Sequence, residues 1–526
     1  VDTVPSVEYV NLTGLERIWQ PSVPPAAGGN RQVRVLKAFI PALRETGETQ
    51  PGFPELHILS APQLGHVVFH PPGAALFRAN EAAAALLAKA IQNGAHRLEP
   101  EAAVLIEQIK RQLALRPPLQ VAGTPPGVLQ KLVLNVSNDC TLRCRYCYAH
   151  GGQYTQPRGL MSAEIARQAI IRIYAQYPLI GTVLFFGGEP GLNPGVIQAS
   201  CEQILTLYRQ KRIERLPLWG MVTNGWTLDQ TLLDVIRRYH LVVTVSLDGP
   251  PEIQDRLRPA QTGQATHARI AENIRLLQHA TGGREPSRIE TTYTLAHQQA
   301  GVTIDELIAY FDNEFGIDDI HLTPVAAMPG QPLHWQPANV DRAGLVQSYA
   351  RVLESWATPR PRQISAVSNC LQLLVTRRYP AHRCGAGFGE LTVLANGDVY
   401  PCYLLLKKEL RIGNVNDPAL FTGQHFQTVQ QMLADGARDT RQACRACWAR
   451  GACRVCAGAA EIESQGAVQT STALCAFSQS AAQATLLTLC RLQADPPRWQ
   501  TLLNNAARRI EHNLQQHLNR PLPDPE

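Results

Sequence analysis

No stretch of eighteen or more apolar residues occurs in this 526-residue chain, so a membrane-spanning helix is not expected. The start, Val1-Asp-Thr-Val-Pro5, lacks the basic-then-apolar form of a secretory signal. Charge is scarce too, at 17% of residues with a net +6 spread along the chain. No Lys/Arg run and no ladder of aromatic and basic residues stands out, which leaves no argument for nucleic acid. Low-complexity tracts are missing. The hydrophobic content of 45% describes a globular protein with ample core, and the length calls for two to four domains. The expectation is a cytoplasmic protein with neither a membrane nor a nucleic-acid partner.

Cysteine breaks this pattern of scarcity. There are thirteen, and in a reducing compartment they are more naturally metal ligands than disulfides. Ten fall into three tight or regularly spaced groups. The first, Cys140-Thr-Leu-Arg-Cys144-Arg-Tyr-Cys147, closes the run Lys131-Leu-Val-Leu-Asn-Val-Ser137. Three thiolates at CxxxCxxC spacing can reach three irons of one cubane cluster and leave the fourth without a protein ligand, open to a substrate or cofactor. A zinc site completed by His150 is the alternative. Cys201, Cys370 and Cys490 fit no group and are expected to be core thiols.

The triad, with Tyr146 before its last cysteine, resembles the radical S-adenosylmethionine (SAM) superfamily. That resemblance implies that the open iron chelates SAM, and that reduction of a [4Fe–4S] cluster cleaves it to a 5′-deoxyadenosyl radical. Strand-like runs at 132–136, 182–186, 216–222, 241–246, 289–294 and 320–324 alternate with helical ones, such as 162–173 capped by Ser162. Six β/α alternations argue for a parallel sheet with right-handed crossovers, curved into a partial (β/α)6 barrel whose site lies at the C-terminal strand ends. The expected fold class is α/β, with an N-terminal module over 1–116, a linker over 117–130, a barrel over 131–345 that the resemblance implies is of the radical SAM kind, a helical bridge over 346–383, a cysteine-rich domain over 384–480 and a helical tail over 481–526.

Strand ends carry the remaining barrel motifs. Phe186-Gly187-Gly188-Glu189-Pro190 combines glycines that admit a ligand to the backbone with a carboxylate able to hold an ammonium group. Placed one β/α unit after the triad, it resembles the segment that binds the SAM amino group. Thr223-Asn224-Gly225 ends strand three, and Ser246-Leu247-Asp248-Gly249-Pro250 ends strand four. The resemblance implies Ser246 near the SAM ribose, Arg258 on the SAM carboxylate with Arg256 as the fallback, and the Tyr146 main chain against the adenine. Asp248 is expected to shape the turn. Thr292, Thr294 and Thr323 are weaker cavity candidates.

The N-terminal module places a hairpin, His66-Val-Val-Phe-His70 and Ala74-Ala-Leu-Phe77 around Pro71-Pro-Gly73, before two helices, 81–91 and 99–113. This order resembles winged-helix elements that bind a leader peptide by strand addition. A merely stabilising extension is the alternative. At the other end, Cys384, Cys402, Cys444-Arg-Ala-Cys447, Cys453-Arg-Val-Cys456 and Cys475 resemble the SPASM extension, which carries two auxiliary iron–sulfur clusters. The alternative is a Cys₄ zinc ribbon, cramped by the five residues between its two CxxC pairs. Carried over by position, Cys384, Cys402 and Cys456 hold the nearer cluster, and Cys444, Cys447, Cys453 and Cys475 the outer one. The shortened last pair leaves the partition of Cys453 and Cys456 open. Relatives often have a further cysteine after the first, which is missing here. The nearer cluster is left with an open iron or an oxygen ligand such as Glu390.

Together these features imply a maturase of ribosomally made peptides, with a leader-bearing precursor peptide or protein as substrate and a flavodoxin or ferredoxin as reductant. The expected product is an intrapeptide thioether. The open auxiliary iron and the glycine-containing loop Cys147-Tyr-Ala-His-Gly151-Gly152-Gln-Tyr154 support it. A carbon–carbon or carbon–oxygen crosslink and a sulfatase-type oxidation of Cys or Ser to formylglycine are the alternatives. A non-catalytic metal-binding scaffold is a third, against which the GGEP and SLDG segments speak.

Overall fold

The computed structural model describes residues 4–19, 42–45, 55–93, 98–116, 119–154, 156–380, 384–436, 440–464 and 472–518. Its N-terminal part contributes strands β1 (Val7–Tyr9), β2 (Ala42–Glu45), β3 (His57–Ala61), β4 (Gly65–His70) and β5 (Ala75–Ala79). Four of these form an antiparallel sheet in the order β1-β5-β4-β3. The β4–β5 hairpin turns through Pro71–Gly73, where the His70 ring accepts the Gly73 N–H. Central β4 is apolar on both faces because both are covered. Val68 packs with the helices Glu81–Asn93 and Pro100–Ala114, while Val67 and Phe69 join the main core on the opposite face. Asn80 caps the first of these helices by accepting the Ala83 N–H. The expected stop at Gly94 lies outside the described residues.

The stretch expected as a linker is instead partly sheet. Strand β6 (Gln120–Gly123) lies antiparallel to β2, and its other edge pairs with β14 (Arg378–Pro380). Pro117 and Pro118 are outside the described residues. The alternating pattern after it yields six parallel strands: β7 (Val128–Ser137), β8 (Leu179–Gly187), β9 (Leu218–Thr223), β10 (Val242–Ser246), β11 (Arg288–Tyr293) and β12 (Asp319–Pro324). Each is close to its expected run. Their Val/Ile/Leu inner residues are buried by helices such as Ala163–Gln176, capped by Ser162, which buries Ala166, Ala169, Ile170 and Ile173. Ile165 sits at the margin of that face.

The sheet does not end there. Strand β13 (Gln363–Ile364), inside the expected helical bridge, extends it beyond β12. At the opposite edge β15 (Glu390–Val393) pairs parallel with β7 and turns into β16 (Asp398–Tyr400) and β17 (Gly413–Asn414). The cysteine-rich domain therefore continues the barrel sheet by backbone hydrogen bonds. The expected boundary at 480/481 falls inside one helix, Thr472–Gln493. That helix is long and apolar enough to cross a membrane, yet 78% of its apolar window is buried inside the protein. It packs against the helices Arg342–Glu354 and Ser365–Thr376, and its length is explained by that burial.

Candidate active site

The triad follows β7 in a loop pinned by main-chain bonds, from Arg143 N to Pro259 O (2.8 Å) and from Arg145 N to Leu257 O (2.9 Å). Cys140 Sγ accepts from Leu142 N (3.4 Å) and Asn224 Nδ2 (3.5 Å), and Cys147 Sγ accepts from Gly151 N (3.3 Å). Burial pushes the Cys140 thiol up to about 11 and Cys144 up to about 12. N–H groups aimed at sulfur suit thiolates, and in so buried a place a cationic partner is needed to keep them ionised near neutral pH. His150 is exposed and outside the cavity onto which the triad opens. Among the described residues, no three His, Cys, Asp or Glu side chains are grouped to hold a single metal ion.

Gly187 and Gly188 end β8, and both need to be glycine. A Cβ on Gly187 would lie 2.3 Å from Asn135 Oδ1 at φ +136°, and one on Gly188 would lie 2.3 Å from Asp139 O. A Cβ on Gly152 would meet Gly188 Cα at 2.7 Å. The glycines of the 147–154 loop thus have a packing role, which seats the triad loop on β8. Glu189 is not turned toward the cavity as expected. It is fully buried and accepts from Gly191 N (2.7 Å), Thr223 Oγ1 (2.7 Å) and Asn224 N (2.8 Å), tying the end of β8 to the end of β9. Burial raises its pKa, and the three donors oppose that shift. Pro190 lies buried beside it in a short turn.

Ser246 and Arg258 both line the cavity, whereas Arg256 is exposed. Arg258 Nη1 donates to the Tyr146 hydroxyl at 2.9 Å, and that hydroxyl donates to Asp248 Oδ2 at 2.5 Å. The two charged groups also pair, at 3.8 Å. Asp248 further accepts Thr292 N (3.1 Å), while its backbone carbonyl meets His297 Nε2 (2.7 Å). Asp248 is therefore the hub that orients Arg258, beyond the turn-shaping expected of it. Its partner Tyr146 lies 102 residues away in sequence, so no local pattern could have revealed this.

The cavity has a volume of about 440 Å³ and opens at the C-terminal ends of the barrel strands. Thr292 and Thr323 line it; Thr294 does not, being the buried N-cap of the helix Leu295–Gln299. Glu290, His321 and Tyr403, not expected from the sequence, line it as well. His321 Nδ1 faces Ser365 Oγ at 3.1 Å, and burial holds this imidazole below its ordinary pKa. The far wall comes from the cysteine-rich domain and includes Cys456.

Cys384 and Cys402 each lie within electrostatic reach of Cys456. Burial pushes both thiols up, while backbone N–H groups of Ala386 and Ala457 (on Cys384) and of Leu404 (on Cys402) oppose it. These three thiols lie within electrostatic reach of one another. Of the others, Cys447 accepts from Gln479 Nε2 at 3.6 Å, and Cys453 packs against the cluster of Val455, Ala460 and Leu474, the last of these next to Cys475. Cys201 and Cys490 are core thiols, and Cys370, also buried, stands in the cavity wall.

The sequence model of the Radical SAM superfamily matches residues 134–298, and that of SPASM, an iron–sulfur cluster-binding domain, matches 384–448. The chain carries a radical SAM domain and a SPASM domain. It is 22% identical over 331 residues to a cysteine-type anaerobic sulfatase-maturating enzyme of Clostridium novyi, covering 61% of this chain and 85% of that one. The radical SAM cyclopropyl synthase TigE of Paramaledivibacter caminithermalis is 26% identical over 136 residues, 23% of this chain and 28% of that one. Among solved structures, native anSMEcpe with bound AdoMet superposes with a TM-score of 0.57 at 19% identity, over 72% of this chain and all of that one. The partial barrel with its SPASM extension is thus the fold expected.

A radical SAM domain binds SAM and a [4Fe–4S] cluster, and a SPASM domain binds auxiliary iron–sulfur clusters. The residues present fit these groups. The three triad thiols open on one cavity with backbone N–H groups on two of them. Arg258 Nε is buried without a hydrogen-bond partner, a donor that a ligand carboxylate would satisfy.

One titration near the site has a measurable consequence. Glu463, on the helix Ala457–Ser464 after Cys456, is 7% exposed, and burial pushes its carboxyl up to about 7. A raised carboxyl adds stability that is complete below its unfolded value and is lost as pH rises through about 7. The thermal midpoint of the cluster-loaded chain should therefore fall between about pH 5.5 and 7, and Glu463→Gln should flatten that slope.

Proposed function

We propose that this chain is a radical SAM enzyme that oxidises a side chain of a peptide or protein. The observation that carries the reading is the single cavity that runs from the triad to Cys456. A residue seated there lies between the SAM site and an auxiliary cluster. When bound, SAM and the reduced cluster supply a deoxyadenosyl radical for hydrogen abstraction, and the auxiliary cluster can take the remaining electron. The chain's own part is to orient and to exclude water. Arg258, held by Tyr146 and Asp248, would hold the SAM carboxylate, and Ser246 would take the ribose. Glu290 and His321, whose imidazole burial holds below its ordinary pKa, offer proton acceptors in the cavity wall.

Oxidation of one Cys or Ser side chain is the product we favour, because the sulfatase-maturating relatives are matched over most of their length. The thioether expected from the sequence needs an iron open to a substrate thiolate, and Glu390 stands beside the nearer thiols. The Gly151-Gly152 loop lends it no support, since packing on Gly188 accounts for Gly152 and a φ of +73° for Gly151. A ferredoxin or flavodoxin is the reductant we propose. The module at 1–116 is proposed to hold a leader or anchoring segment. Addition to its sheet would displace Gln108 from Val7 O (3.1 Å) on β1, or Gln483 from Ser60 O (2.9 Å) on β3.

The test is anaerobic incubation with SAM, dithionite and short peptides that present Cys or Ser. Deoxyadenosine should form together with a peptide aldehyde that a hydrazine reagent captures. Loss of thiol and of two hydrogens without an aldehyde would replace this product by the thioether. Deoxyadenosine release that no peptide or protein stimulates would count against the whole reading.

A further inference from the structure

A [4Fe–4S] cluster presents four irons, and the nearer auxiliary set supplies three thiols, from Cys384, Cys402 and Cys456. Glu390 lies within electrostatic reach of the first two. It opens β15 directly opposite Lys131 of β7, and its Oε2 pairs with Lys131 Nζ at 2.8 Å. Its other oxygen, Oε1, is shut off from solvent and accepts no hydrogen bond. The Glu390 charge reaches both Cys384 and Cys402, and Lys131 feels the same two sulfurs. A hairpin of main-chain bonds fixes this placement, because Glu390 N donates to Gly385 O (2.8 Å), one residue after Cys384.

A buried carboxylate oxygen without a donor is a costly arrangement that proteins rarely keep. Lys131 already holds the other oxygen, which leaves Oε1 a lone-pair donor on a carboxylate within electrostatic reach of the Cys384 and Cys402 sulfurs. We propose that Glu390 Oε1 is the fourth protein ligand of the nearer auxiliary cluster, with Lys131 fixing the carboxylate through its second oxygen. The proposal rests on the assignment of Cys384, Cys402 and Cys456 to one cluster. It is independent of which side chain the enzyme oxidises.

The test uses the full chain with Cys140, Cys144 and Cys147 replaced by alanine, so that only auxiliary clusters contribute, about eight irons. After anaerobic reconstitution and reduction, ¹³C-cyanide is added and electron paramagnetic and double resonance spectra are recorded. The parent chain should show no ¹³C coupling. Glu390→Ala should show it at one cluster, since an iron has been opened. Glu390→Gln, which keeps the shape, should behave likewise and stands in if the alanine variant does not hold its clusters. Lys131→Met releases the second oxygen but keeps the carboxylate, and should admit cyanide to a smaller fraction of the clusters than Glu390→Ala does. Cyanide that binds the parent as readily as Glu390→Ala would overturn the proposal, as would spectra unchanged in both Glu390 variants. A parent chain holding only about four irons would overturn the cluster assignment, and the ligand with it.

Discussion

Replacing Cys140, Cys144 and Cys147 together by alanine will abolish reductive cleavage of SAM and lower the iron content by about four per chain, from about twelve. The loop that carries these thiols is not held by them. Its hydrogen bonds run from the main chain at Arg143 and Arg145 to Pro259 and Leu257, and from Glu189 N to Asp139 O at 2.9 Å. Gly152 packs on Gly188 from the other side. The variant should therefore keep its fold, and the loss of activity reports the cluster alone. Iron and sulfide after anaerobic reconstitution, with deoxyadenosine measured by chromatography, give both readouts on one sample. A fall of about four irons with eight remaining fits one triad cluster and two auxiliary ones. About four irons in the wild type, with stoichiometric zinc, would leave the radical SAM centre and remove the auxiliary clusters.

The parts of the site that could be read from the sequence are those fixed over a few residues. The CxxxCxxC spacing places three sulfurs by local turn geometry, and GGEP falls at a strand end because apolar runs and glycine stops mark the strands. Six strands were legible for the same reason. Long-range pairings were not. Asp248 serves Tyr146 and Arg258 from three separate segments, and Glu390 meets Lys131 only because β15 pairs with β7 across the whole of the barrel sequence. Glu189 shows the limit most clearly. A carboxylate in a glycine-rich turn predicts a ligand contact, but which way it points depends on the Thr223 hydroxyl and the Asn224 N–H that the end of β9 brings beneath it. The linker fared similarly, since β6 forms only where β2 and β14 arrive to pair with it.

The direction of Glu189 sets the second large effect. Its carboxylate is the shared acceptor for Gly191 N, Thr223 Oγ1 and Asn224 N, with no exposure to solvent. Glu189→Ala leaves three buried donors without partners, at a cost on the order of 3–5 kcal/mol. Glu189→Gln keeps one acceptor oxygen but turns an amide N–H toward a backbone N–H, and should cost about 1–3 kcal/mol. Urea unfolding of the two variants, compared at equal cluster loading, measures both. The effect should then reach the triad. Asn224, positioned by Glu189, donates through Nδ2 to Cys140 Sγ (3.5 Å) and Thr141 Oγ1 (3.1 Å), so both variants should also lose iron more readily. A Glu189 that instead held the SAM ammonium would give the opposite order. Glu189→Gln would then raise the KM for SAM severalfold while leaving the urea midpoint and the iron content where they were.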